Sequence, residues 1–146
     1  MVQLSPDTRL TGWDGCSGYH FSDSVVFGFS HTHLSGTGVS DYGDILLMPR
    51  TGEPVFVNGY PDDPDGGYGS RFDKSSERAG AGWYDVTLAD YDVEVELTAA
   101  RRAGMHRYTF PAGAAAHVIV ALGHRDKTLE NDLRVIDDRT VVGMRR

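Results

Sequence analysis

Residues 82–99 read GWYDVTLADYDVEVELTA, and this stretch decides the fold. In its second half, the apolar residues Val93, Val95 and Leu97 alternate with polar ones. A period of two is typical of a strand with one buried face. The first half carries the aromatic and β-branched side chains that strands favour. We therefore predict two strands, at residues 82–88 and 92–99.

Similar short runs lie on both sides of this pair. They cover residues 24–30, 44–48, 105–110 and 116–122, with a closing hairpin at 133–136 and 140–144. Glycine and proline separate the runs, and no segment shows a long helical period. Residues 58–81 also lack a period and are expected to form a loop. Short strands between turn signals predict an all-β fold, an antiparallel β-sandwich.

Length and composition narrow the class of protein. The 146 residues suit one domain, and 40% of them are hydrophobic, as in a globular chain. A formal net charge of -7 repels phosphate backbones, so we expect no nucleic-acid partner. No apolar run reaches the roughly 20 residues of a membrane helix, and no signal peptide is visible at the start. The single cysteine, Cys16, excludes an internal disulfide.

The densest polar segment is residues 28–49, GFSHTHLSGTGVSDYGDILLMP. His31 and His33 stand two positions apart, and on a strand such residues point the same way, so they could share one metal ion. His124 and Asp126 could complete that site. The spacing also resembles the first cupin motif, but no glutamate follows within the next five positions. The alternatives are histidines that donate to nearby backbone or to sugar hydroxyls.

A second candidate segment is residues 11–20, TGWDGCSGYH. The flat faces of Trp13 and Tyr19 suit stacking on the CH faces of sugar rings, and Asp14 could accept hydrogen bonds from sugar hydroxyls. The ordinary alternative is that Trp13 caps the core, as most tryptophans do.

Acid–base and nucleophilic signatures are missing from the sequence. Glycoside cleavage generally needs two facing carboxyl groups, and no pair of acidic residues is singled out by spacing. Ser35 lies outside any Gly-x-Ser-x-Gly elbow. The acidic run at Asp62, Asp63 and Asp65 lacks the spacing of a calcium loop. We expect no catalytic residue and no metal ligand set within this chain.

Several segments together resemble the N-terminal domain of glycoside hydrolase family 92, the calcium-dependent, exo-acting α-mannosidases. They appear in family order across nearly the whole chain. They are MVQLSPDT, TGWDGCSGYH, GFSHTHLSGTG, DYGDILLMP, YGSRF, GWYDVTL, VEVELTAARRAGMHRYTFP and ALGHRD.

The resemblance implies a β-sandwich, of the galactose-mutarotase-like supersandwich type, joined to a C-terminal helical catalytic domain. Terminal α-mannosides would be hydrolysed with inversion where the two domains meet. The catalytic carboxylates and the calcium would belong to the helical domain. This domain would supply cleft loops, and its substrate-facing candidates are Trp13, Asp14, Tyr19, His31, His33 and Ser35.

The chain departs from the family pattern at both ends, so we expect residues 1–146 to be one incomplete sandwich domain. Missing strands would expose sheet edges and apolar surface, which would favour docking on the catalytic domain or self-association. The resemblance implies a periplasmic or secreted parent. Two alternatives remain open at this point: a stand-alone sugar-binding module, and a cupin-like metal-binding protein that uses His31 and His33.

Overall fold

The computed structural model describes residues 2–15, 17–33, 42–61, 63, 65–125 and 127–146. Within these ranges the backbone forms twelve strands and one 3₁₀ turn. The strands are β1 (Ser5–Asp7), β2 (Val25–Val26), β3 (Gly28–Ser30), β4 (Leu46–Thr51), β5 (Ser70–Arg71), β6 (Arg78–Gly80), β7 (Trp83–Leu88), β8 (Val93–Ala99), β9 (Gly104–Thr109), β10 (Ala116–Ala121), β11 (Asn131–Val135) and β12 (Val141–Arg145). The 3₁₀ turn η1 (Trp13–Gly15) follows β1. None of the described segments forms a helix with the length and apolarity that crossing a membrane requires.

Two four-stranded sheets form the body of the fold. One has the strand order β1-β3-β4-β10 and the other the order β6-β7-β8-β9, and the paired strands are antiparallel. Two ribbons, β2-β5 and β11-β12, accompany them. Both sheets contribute to one hydrophobic core, which includes Phe29, Met48 and Ile119 from the first sheet and Leu88 and Val95 from the second. Two sheets around a shared core make a β-sandwich, which confirms the predicted fold class.

The stretch that predicted the fold behaves as expected. β7 and β8 pair along their whole length, from Trp83 opposite Thr98 to Leu88 opposite Val93. Val93, Val95 and Leu97 are buried in the core. On the outer face of this sheet, four charged residues face one another across the four strands, in the order Arg78, Asp85, Glu96, Arg107.

The single strand expected at residues 24–30 is wrong. The ladder breaks at Phe27, whose backbone N–H donates to the Asp7 carbonyl at 2.8 Å. Gly28 then has φ +142°, and a Cβ there would lie 2.6 Å from the Leu46 side chain. Because of this break, β2 pairs with β5 while β3 pairs with β1 and β4. The chain therefore passes from the β2-β5 ribbon into the first sheet within two residues.

Other boundaries also differ from the prediction. β4 runs through Pro49, which is tolerated because β3 pairs with β4 only at Leu47 and leaves the rest of that side open. The expected loop at residues 58–81 contains the short strands β5 and β6, and β1 had no sequence signal. The remaining predicted strands are confirmed to within two residues.

The closing hairpin β11-β12 is confirmed and lies on the surface. Arg145 holds it to the body of the fold by donating to the Asp44 carboxylate and to the Leu122 carbonyl. Several of its apolar side chains are exposed, namely Leu133, Val135, Ile136, Val141, Val142 and Met144.

Candidate functional site

A buried charged cluster lies where the first sheet meets the loops that follow it. Asp7 ends β1 and is fully buried, opposite Gly28 in the register. Ser30 ends β3, and His33 follows it three residues later. His124 and Arg125 follow β10, and their side chains are 2% and 1% exposed. Sheet pairing thus brings together three distant segments: the end of β1, the end of β3 with the loop after it, and the loop after β10. We call these five residues the Asp7 cluster.

Hydrogen bonds assign the protonation state of His33. Its Nδ1 lies 2.6 Å from the Ser17 carbonyl, which can only accept, so Nδ1 carries a proton. Ser30 donates its one hydroxyl proton to Asp7, and its Oγ lies 2.6 Å from His33 Nε2. That Oγ must therefore accept from a second ring proton. With both nitrogens donating, His33 is an imidazolium, 3.5 Å from Asp7 Oδ2.

The electrostatics of the cluster agree with this assignment. Burial alone would raise the pKa of Asp7, but the His124 and His33 rings, each 3.5 Å from its Oδ2, hold that pKa well below its ordinary value. Burial alone would lower the pKa of His33, yet Asp7 raises that pKa above its ordinary value. Removing one partner of such a buried pair typically costs about 3–5 kcal/mol because it strands the other charge.

Arg125 connects the Asp7 cluster to the turn η1. Its Nη1 lies 3.7 Å from Asp7 Oδ1. Its Nη2 donates to the Gly15 carbonyl and, at 3.4 Å, to the Arg9 carbonyl. Gly15 is the last residue of η1, so the buried guanidinium holds the base of that turn.

The structure explains why position 18, in the second candidate segment, is a glycine. Its φ is +84°, and a Cβ there would lie 2.4 Å from Asp7 Oδ1 and 2.5 Å from the His33 ring. The backbone therefore closes directly over the cluster, and only glycine fits at this position.

The top of the η1 turn faces solvent. Trp13 is 77% exposed, so the core-capping alternative is wrong. The Asp14 side chain is 72% exposed and lies 4.0 Å from the Arg9 guanidinium. Arg9 in turn makes a bidentate pair with Asp23. The structure thus presents an exposed aromatic ring and a carboxylate on a turn that is held from below.

Tyr19 belongs to a different network, centred on Glu77. The Tyr19 hydroxyl donates to Glu77 at 2.9 Å and accepts from Lys74 at 2.7 Å, while Tyr84 donates to the other Glu77 oxygen at 2.8 Å. Burial is the main cause that raises the pKa of Tyr19. The Lys74 ammonium also lies 5.2 Å from the centre of the exposed Phe21 ring.

His31 points away from His33 and into a third network. Its Nδ1 donates to the Ile45 carbonyl at 2.7 Å, and its Nε2 lies 2.9 Å from His106 Nε2. Tyr108 lies 2.7 Å from the other His106 nitrogen. Burial, and secondarily His31, lowers the pKa of His106 to about 4. The chain has left β3 before His31, so the strand rule that predicted a shared ligand does not apply.

The described residues do not fit a bound metal ion. They contain no group of three or more His, Cys, Asp or Glu side chains that could hold one. His31 and His33, the pair on which the cupin-like alternative depends, are bonded in separate networks. Ser35, Cys16, Asp62 and Asp126 lie outside the described residues, so their predicted roles stay predictions.

The sequence did not mark Asp7, Ser30, Lys74, Glu77 or Arg125 as candidate site residues. No periodicity marks them, because their burial follows from non-local strand pairing. The only signal was membership in family-like segments, such as ALGHRD for Arg125.

The protein is an all-β scaffold in which the turn η1 presents an exposed tryptophan and is held by the buried Asp7 cluster. The family model of the glycosyl hydrolase family 92 N-terminal domain matches residues 1–146. The chain belongs to this family.

Solved structures agree with the family match. The family GH92 α-mannosidase BT3965 from Bacteroides thetaiotaomicron is 41% identical, with a TM-score of 0.92 over 99% of this chain, both alone and in complex with mannoimidazole. The inverting GH92 mannosidase BT2199 from the same organism is 27% identical, with a TM-score of 0.68 over 82% of this chain. The chain spans only 19–20% of BT3965 and 15% of BT2199. Comparison with curated protein sequences yields no match.

Proposed function

We propose that residues 1–146 form one β-sandwich domain of an α-mannosidase that hydrolyses terminal α-mannosides with inversion. In this proposal the domain supplies substrate-binding loops and a docking surface, while a C-terminal helical domain supplies the catalytic carboxylates and the calcium. Family membership supports the class of reaction. The similarity to the α-mannosidase BT3965 supports the mannoside substrate, and the similarity to the inverting mannosidase BT2199 supports the inversion.

The observation that carries the sugar-binding role is the exposure of Trp13 on a turn that Arg125 holds. An aromatic face that is fixed in place and uncovered suits stacking on a sugar ring, because little conformational freedom is lost on binding. Asp14 beside it can accept from sugar hydroxyls. Tyr19, His31 and Ser35 are proposed as further substrate-facing residues, and His33 as a member of the same site that lies beneath its surface.

Two acidic residues bonded within these networks, Asp7 and Glu77, support the proposal that the catalytic carboxylates belong to the other domain. Asp7 is buried in an ion pair, and Glu77 already accepts from Tyr19, Tyr84 and Lys74. Neither is available as a general acid or base. Positioned acid–base groups are typically worth about 10²–10⁴-fold each, so the isolated chain should not turn over substrate.

Hydrolysis by the purified chain tests this proposal. With α-1,2-mannobiose we expect no mannose release, with or without added calcium. Mannose release that persists in a chelator and in a Trp13→Ala variant would show that the chain carries its own catalytic groups, and would overturn the proposal.

Sugar binding tests the proposed site itself. Saturation-transfer NMR with methyl α-mannoside should detect weak binding, with a Kd of about 1 mM or above, because half a cleft buries little of the ligand. Trp13→Ala should abolish the signal, whereas Trp83→Ala, which removes an indole from the outer face of β7, should retain it. Equal loss in both variants would contradict the assignment, and tight binding by the chain alone would favour the stand-alone sugar-binding module.

The exposed apolar side chains of the β11-β12 hairpin support the proposed docking and self-association. Light scattering after gel filtration at several concentrations should show a mass that rises with concentration. A monomer throughout would contradict self-association. A periplasmic or secreted location for the parent stays part of the proposal through the family alone.

A further inference from the structure

We propose that Arg125 is a positioning residue for the sugar-binding turn η1, and that the Asp7–His33 ion pair holds Arg125 in place. The inference rests on the proposed function for its purpose, since it says how the turn that carries Trp13 and Asp14 is kept in its binding position. It assigns a role to a buried arginine that contacts no substrate.

The geometry of the guanidinium carries the first step. One arm, Nη1, faces Asp7 Oδ1 at 3.7 Å, while the other, Nη2, donates to the carbonyls of Gly15 and Arg9. Gly15 is the last residue of η1, and Arg9 precedes the turn in the chain. A guanidinium carries its donors on separate nitrogens in a rigid fork, so one nitrogen can face a carboxylate while another donates to two carbonyls. Lysine has all three of its donors on a single nitrogen and cannot reproduce this spread.

The position of Gly15 carries the second step. The Gly15 carbonyl accepts from the Gly18 N–H at 2.9 Å and has a second lone pair, which can accept from a nearby cation. Arg125 donates that second hydrogen bond from inside the protein, since its side chain is 1% exposed. The turn that carries the exposed Trp13 is therefore held by a hydrogen bond whose donor is buried.

Asp7 links Arg125 electrostatically to His33. Asp7 faces three groups: His33 and His124 at 3.5 Å through Oδ2, and Arg125 through Oδ1. Ser30 donates to the same carboxylate, and burial together with the Asp7 charge raises the pKa of the nearby Tyr68 to about 12. Asp7 thus acts as the shared counter-ion of an imidazolium and a guanidinium that come from different loops.

The experiment uses the fact that the chain has two tryptophans. A Trp83→Phe background makes Trp13 the only tryptophan, whose fluorescence can be excited apart from that of the tyrosines. The steady-state anisotropy of Trp13 then reports how firmly the turn is held. Arg125→Lys should lower that anisotropy and weaken methyl α-mannoside binding by roughly tenfold, as expected for the loss of one charge-assisted hydrogen bond. The control is Arg107→Lys, which alters an exposed ion pair with Glu96 on the outer sheet and should change neither quantity.

Arg125→Lys decides the outcome because it keeps a cation beside Asp7, and Arg125→Met is included to remove that charge as well. Circular dichroism confirms that each variant is folded. An unchanged Trp13 anisotropy in folded Arg125→Lys would overturn the inference. A lower anisotropy together with no mannoside binding by the parent would uphold the positioning role and contradict the proposed function instead.

Discussion

His33 shows most clearly how single residues are set by their partners. It lies two positions from His31, yet the two imidazole rings have different hydrogen-bond partners. His33 has two obligate acceptors, a carbonyl and a hydroxyl that already donates elsewhere, and is therefore charged. His31 donates to a carbonyl through Nδ1 and shares its Nε2 with His106. Two histidines separated by one residue therefore hold different parts of the fold together.

The charge on His33 gives a first prediction. Because Asp7 raises the pKa of His33 above its ordinary 6.5, the imidazolium should still predominate at pH 6.5, where an ordinary histidine is half neutral. Nitrogen-15 NMR should then show two protonated ring nitrogens for His33. The stabilisation from this charge is complete below pH 6.5 and is lost as the pH rises through the folded-state pKa. A neutral His33 ring at pH 6 would contradict the assignment, and Asp7→Asn should produce that neutral ring.

At this scale the sequence predicted residue types better than contacts. The density of polar side chains correctly marked the segment that holds Ser30, His31 and His33, which lie in hydrogen-bonded networks. The alternative of one metal ion shared by His31 and His33 assumed that the strand continues through both residues, whereas β3 ends at Ser30. Asp7 could not be foreseen as the centre of a cluster, since its burial needs the pairing of β1 with β3 and the return of the chain after β10.

Among the elements, the break between β2 and β3 has the greatest effect on the site. It sends Gly28–Ser30 into the first sheet and places Ser30 beside Asp7. A continuous strand would have kept this segment with β5. The break depends on Gly28, whose positive φ and close approach to Leu46 both exclude a side chain.

Gly28→Ala gives the second prediction. The positive φ should cost about 1–2 kcal/mol, and overpacking against Leu46 should add about 1–3 kcal/mol to the loss in unfolding free energy. Gly52→Ala is the matched control, because Gly52 also has a positive φ, +85°, but a Cβ there meets nothing within 4 Å. Urea unfolding measures both variants. Equal losses would show that the contact with Leu46 does not constrain the break.

The elements that sequence predicted well are those with a full period. β7 and β8 have six and seven residues, enough to show alternation. β5 and β6 have two and three residues, which is too short for any period to appear, and they form because neighbouring strands offer unpaired backbone groups. Turn residues therefore dominated the prediction for residues 58–81.

The molecule as a whole holds its exposed loops through buried polar networks. The Asp7 cluster fixes η1, the Glu77 network fixes Tyr19, and the His31–His106 pair joins the loop after β3 to β9. All three sit at the border of the hydrophobic core, so the response of the whole fold to pH should reflect them.

His106 provides the third prediction. Its pKa of about 4 lies below the ordinary value of 6.5, so the unfolded chain binds a proton that the folded chain refuses between these values. Stability from this residue is therefore present above pH 6.5 and is lost as the pH falls toward 4. His106→Gln should flatten this part of the stability–pH curve measured by urea unfolding. An identical slope in the variant and the parent would contradict the neutral state of His106.

The central claim is that the held turn carrying Trp13 is half of a mannoside site. The most direct measurement follows the two indole N–H signals in a proton–nitrogen correlation spectrum during titration with methyl α-mannoside, with Trp83→Phe used for assignment. The account predicts that the Trp13 indole and the amides of residues 13–15 shift while Trp83 stays in place. A titration in which the Trp13 signals do not move, or in which only Trp83 responds, would contradict it.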